Sequence, residues 1–170
     1  MFGLTPLGVA HTAISLVAVA AGLIALFRDK RISAGNMLGQ IYIWTTVLTC
    51  LTSFGIFQHG GFGKPHMLGI LTLVALGLAF VAGRTALFDR AGPYVEAVSY
   101  SATFFFHMIP AVTEATTRLP LGAPLLPNAE VPELQVAAGV MFLIFLIGAT
   151  LQVRSMRARH LRSTASSALR

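Results

Sequence analysis

The chain has 170 residues, 55% of them hydrophobic and 11% charged, with a formal net charge of +6. A soluble domain carries roughly 25% charged residues, so an ordinary water-soluble globule is excluded, and the high hydrophobicity excludes a disordered chain. The single cysteine, Cys50, cannot form an internal disulfide, so a disulfide scaffold is excluded as well.

A helix crossing a hydrocarbon core of about 30 Å needs around 20 mainly apolar residues at about 1.5 Å per residue. Five stretches meet that requirement, and the expected fold class is all-α: an integral membrane bundle of five transmembrane helices. The spacing predicts spans at about residues 5–27, 35–57, 65–87, 93–118 and 132–153, with residues 1–155 as one domain and 156–170 as a basic tail. The first span ends at the cluster Arg28-Asp29-Lys30-Arg31. No basic segment precedes it and its apolar stretch is long, so it reads as a retained helix rather than a cleaved signal peptide. Pro65, Pro93 and Pro132 open three of the spans, where a missing N–H costs nothing.

With the N-terminus outside, ten of the twelve Lys and Arg residues fall on the inner side, leaving Lys64 and Arg118 outside. That asymmetry is the positive-inside pattern, and it predicts N-out, C-in threading in a cell inner (plasma) membrane. The basic balance therefore belongs to helix ends and the tail. No Lys/Arg stripe interleaved with aromatics suggests nucleic acid, and the expected partner is the lipid bilayer, with other subunits of a membrane complex as a further class.

In such a chain the informative residues are ionisable groups at depth. They are His11, His66, His107 and Glu114, with Arg118, His59 and Glu96 nearer the ends. Counted from the outer boundary, His11 lies about 9 Å deep, Glu114 about 6 Å and His107 about 16 Å, while His66 opens its helix near the surface. Thr103, His107, Ala111, Glu114 and Arg118 share one face of the fourth helix, and Glu114 and Arg118 stand at the i, i+4 spacing of an ion pair. Pro110 removes a backbone donor between His107 and Glu114, where a kink is expected. The second helix carries a stripe of Tyr42, Thr45, Thr46, Thr49, Thr52 and Ser53, which predicts hydrogen bonds to neighbouring helices. Gly35 and Gly39 form a small-xxx-small pair suited to close helix approach.

His11 early in the first helix, followed by a basic turn leading into Gly39-Gln40-Ile41-Tyr42, resembles small bacterial polytopic membrane proteins grouped as a domain of unknown function. The resemblance covers the first two helices and implies the fold. Gly35 stands where that family has a histidine, so no cofactor site carries over. Histidines on three helices also resemble b-type membrane cytochromes, four-helix bundles that hold haem between histidines on two helices. That likeness implies at most one haem, with His11 and His107 as its axial pair.

Three function classes follow. The first is a metal- or haem-binding membrane protein, with redox or electron transfer as its chemistry: His11, His66, His107 and Glu114 are candidate metal ligands, and a transition metal ion or one b-type haem is the candidate cofactor. The second is a transport or proton-handling protein using Glu114 and His107. The third is a non-catalytic subunit or assembly factor. No nucleophile elbow, His-Glu-x-x-His or phosphate loop is present to suggest an enzyme.

Overall fold

The computed structural model describes residues 5–56 and 61–168, with side chains to residue 162. The protein is all-α: α1 (Pro6–Asp29), α2 (Met37–Ser53), α3 (Lys64–Arg84), a short 3-10 helix (Ala86–Ala91), α4 (Gly92–Arg118) and α5 (Pro132–Ala168). His59 lies outside the described residues.

Local chemistry sets the helix ends. Thr5 Oγ1 accepts the Gly8 N–H at 3.1 Å and Pro6 follows at the first helical position, an arrangement that satisfies one orphan donor and needs no other there. α1 ends on Lys30 in the left-handed conformation, φ 60°. α2 begins at Met37, later than the expected residue 35, because Asn36 is its cap and accepts the Gly39 N–H at 2.8 Å. It ends at Ser53, short of residue 57, and is followed by a turn. α3 stops at Arg84 instead of continuing to residue 87. Thr85 is extended there and caps the 3-10 helix by accepting the Leu87 N–H, and Asp89, at φ 43°, breaks helical geometry before α4. α5 continues past residue 153 to Ala168. The basic tail has no Gly or Pro to stop it and is rich in strong helix formers.

α1 pairs with α2 and α3 with α4. α2 against α3 and α1 against α4 close a four-helix ring, and α5 packs on the outside of α4. The buried residues are mostly small: Ala18, Ala21 and Ala25 of α1 and Ala79 and Ala82 of α3, around Tyr42. Large apolar side chains such as Leu16, Ile24, Phe80, Leu143 and Ile147 point outward. This reverses the soluble-protein arrangement and suits helices that approach closely in an apolar solvent. Among the described residues three helices, α1, α3 and α5, are long and apolar enough to cross a membrane. α2 has 17 residues, a rise of about 25 Å, and α4 is the helix that carries Glu96, His107, Glu114 and Arg118.

Candidate functional site

The polar side chains of the bundle gather at three levels. At the end where α1 begins, His11 Nδ1 lies 2.9 Å from Thr52 Oγ1 of α2. Thr52 has one hydroxyl proton, directed at the Leu48 and Thr49 carbonyls at 2.8 and 3.0 Å. Thr52 must therefore accept, and His11 donates from Nδ1. In the neutral ring the proton then sits on Nδ1 and the lone pair on Nε2.

At the middle level His107 of α4 is buried, about 16 Å along the helix from Arg118. Its Nε2 is buried with no hydrogen-bond partner among the described residues. The His107 and His11 rings lie within electrostatic range of one another. Tyr42 of α2 packs beside His107, ring centroids 6.2 Å apart at 55°. The Tyr42 hydroxyl lies 2.8 Å from Thr103 Oγ1, and Thr103 donates to the Tyr100 carbonyl at 2.7 Å, so Tyr42 is the donor of the pair. Thr46, one turn along α2, also buries a hydroxyl oxygen without a hydrogen-bond partner among the described residues.

Glu114 and Arg118 form the expected ion pair, with 57% of the Glu114 side chain exposed. Glu114 still lies within electrostatic range of His11. His66 is elsewhere, at the start of α3. Its Nδ1 accepts the Gly63 N–H at 3.2 Å as part of a helix cap, and its ring stacks on Phe62 and Phe54 at 5.1 and 6.4 Å. A neutral His66 that caps through Nδ1 carries its proton on Nε2, the reverse of His11. Among the described residues no three His, Cys, Asp or Glu side chains converge in a metal-holding group. The structure thus brings His11 and His107 into electrostatic range with Glu114 near His11, and gives His66 a separate capping role.

The hydroxyl stripe of α2 differs from expectation. Thr45, Thr49 and Ser53 donate to carbonyls three or four residues back in their own helix, and only Tyr42 and Thr52 bond another helix. Backbone acceptors one turn away compete successfully for short hydroxyls. The Gly35 and Gly39 pair also separates. Gly35 lies in the turn before α2, and Gly39 packs against the Ser33 backbone of the same connection, not against another helix.

A third level is one the sequence reading passes over. Gln152 of α5, 9% exposed, accepts from Ser101 Oγ of α4 at 2.9 Å and donates to the Lys30 carbonyl at 2.9 Å. One amide therefore ties α5 to α4 and to the end of α1. It escapes a search restricted to ionisable groups. An amide within an apolar span is the signal that would have found it. The chain matches no protein family, no curated protein and no solved structure.

Proposed function

We propose that the protein is a multi-pass inner-membrane protein of five spans, N-terminus outside and C-terminal helix inside, whose working centre is His11 and His107. In this reading the pair is a ligand site for one b-type haem or a transition metal ion in the outer half of the bundle. One observation carries it: Thr52 holds His11 through Nδ1, and His107 buries an Nε2 with no hydrogen-bond partner among the described residues. The first is how metal-ligating histidines are held, the second nitrogen fixing tautomer and ring orientation. The membrane setting is supported by the three long apolar helices and the outward-facing large side chains, and the threading by the Lys/Arg asymmetry.

The donor set suits haem better than a bare ion. Two imidazoles, from His11 and His107, would suffice as the protein's ligands to a haem iron, whereas a tetrahedral ion needs further donors. Glu114 is held by Arg118 and His66 by its cap. Bound there, haem would supply one-electron chemistry. Thr52 would orient the His11 ring, and Tyr42 would wall one side of His107. The test is the absorption spectrum and elemental content of protein purified from membranes. A Soret band or stoichiometric metal is expected, lost in His11→Ala and in His107→Ala and kept in His66→Ala. A colourless, metal-free protein overturns the reading.

A second reading, proton handling, is favoured by Glu114, which is exposed at the outer end yet electrostatically coupled to His11. It predicts that Glu114→Gln lowers a proton flux in liposomes, and an unchanged flux refutes it.

A further inference from the structure

α5 does not lie flush against α1. Between them, over α4, runs an apolar groove of about 730 Å³ whose walls include Leu23 of α1, Phe105 and Met108 of α4, and Met141, Ile144 and Gly148 of α5. Its length from Gln152 to Met141 is eleven residues of α5, about 16 Å, or half a hydrocarbon core of about 30 Å. The groove therefore spans one leaflet, the one on the side of the basic helix ends. At its polar end stand Ser101, Gln152, Ser155 and Lys30.

Lys30 also borders a second, polar cleft of about 600 Å³, which contains Arg28, Arg31 and Arg159 as well as Asp29. Four cations there face one carboxylate of the cleft, with Glu96 also within electrostatic range of Arg31, so positive charge remains in excess. Arg28 is spent on Asp29, with contacts at 2.8 and 2.9 Å. Lys30 gives one of its three donors to the Phe27 carbonyl at 2.8 Å, and Arg31 and Arg159 are exposed. A leaflet-deep apolar groove thus opens, through a shared lysine, onto a cleft with an unmatched positive charge.

We propose that this composite is a site for one anionic phospholipid of the inner leaflet, its acyl chain in the groove and its phosphate at Lys30, Arg31 and Arg159. The charge selects the occupant. A second apolar helix would fill the groove but leave the cations unmatched, and a soluble phosphate would match the cations but leave the groove empty. The inference rests on the membrane setting proposed above and is independent of the histidine pair.

Two variants separate the halves of the site. Arg31→Gln with Arg159→Gln removes headgroup charge. Gly148→Phe fills the groove, and a Cβ at Gly148 meets no heavy atom within 4 Å, so the substitution is directed into open space. The full chain would be purified in mild detergent and titrated with phosphatidylglycerol, phosphatidylcholine and inorganic phosphate, reading retained lipid by native mass spectrometry and stability by thermal unfolding. One phosphatidylglycerol is expected to be retained at least tenfold better than phosphatidylcholine, with retention reduced about tenfold in each variant and no protection by phosphate. Equal retention of the two lipids, protection by phosphate alone, unchanged retention in both variants, or a lipid-free dimer that Gly148→Phe dissociates would each overturn the proposal. A chain that stays in solution without detergent would instead refute the membrane setting, a separately visible result.

Discussion

Tyr42 donates its hydroxyl proton to Thr103 across the seam between α2 and α4, at 2.8 Å, and both side chains are fully buried. Because Thr103 spends its own proton on the Tyr100 carbonyl, the pair is directional, and its two ends are not equivalent to mutation. Tyr42→Phe removes the donor and leaves Thr103 still bonded, so a loss of about 1 kcal/mol is expected, in the range of interhelical hydrogen bonds in membrane proteins. Thr103→Val strands the Tyr42 hydroxyl as a buried donor and is expected to cost more, about 1–3 kcal/mol. Thermal or denaturant unfolding in detergent would compare them, and a larger loss for Tyr42→Phe would reverse the assigned direction.

The same reasoning makes the His11 tautomer testable without any ligand. Thr52 accepts from His11 because its proton is already committed within α2. Nitrogen NMR of labelled protein should find His11 protonated at Nδ1 in its neutral form, and Thr52→Val should release that preference. If a haem or metal is bound, loss of this outer support is expected to weaken affinity about 10- to 100-fold. A His11 spectrum with the proton on Nε2 in the native protein would remove the basis for treating that nitrogen as a ligand.

Gln152→Leu is expected to loosen α5. The substitution leaves Ser101 Oγ without an acceptor and takes a donor from the Lys30 carbonyl. One buried polar group left unpaired costs about 1–3 kcal/mol, and Gln152 ties α5 both to α4 and to the end of α1. Hydrogen exchange should show faster opening of α5 than of α1 to α4. A variant with unchanged exchange in α5 would mean that packing alone holds it.

The sequence makes the number of helices legible because charge clusters and prolines mark where apolar runs begin and end. The Arg28–Arg31 cluster, Pro93 and Pro132 fall within a residue or so of observed boundaries. It is less informative about α3, whose end depends on Thr85 acting as a cap, and about α5, which has no terminator in its tail. Depth along helices likewise places His107 and His66 at different levels of the bundle. What depth cannot convey is tautomer. Whether a ring offers Nδ1 or Nε2 depends on which neighbour already holds a proton, and for His11 that neighbour, Thr52, stands on another helix 41 residues away. Gln152 was hidden for a simpler reason, since an uncharged amide carries a smaller desolvation cost than an ion and stands out less in an apolar span.

Threading gives a prediction that tests the proposed orientation directly. In a Cys50→Ser background, single cysteines at Asn36 and at Arg159 should label from the same face of sealed vesicles, and cysteines at Lys64 and Asn128 from the opposite face. Cys50 is buried, so its replacement by the smaller hydroxyl keeps volume nearly constant. Labelling of positions 36 and 159 from opposite faces would require an odd number of spans between them in place of four, and would break the five-span arrangement.

The two glycines that look equivalent in sequence should behave differently. A Cβ on Gly39 would overlap the carbonyl of Ser33, which is backbone and cannot rotate away. Gly39→Ala must therefore displace the turn between α1 and α2 or shift the start of α2, where Asn36 caps the Gly39 N–H at 2.8 Å. Overpacking of this kind typically costs 1–3 kcal/mol, and loss of the cap adds about 1 kcal/mol. At Gly35 the nearest atom to a new Cβ is the Ser33 hydroxyl at 3.5 Å, an ordinary contact with a side chain that can move. Gly35→Ala should be near neutral. Thermal unfolding of the two variants side by side decides the matter. Equal effects would show that close packing at this end occurs between helices, as the spacing alone suggests, and not between α2 and the turn that precedes it.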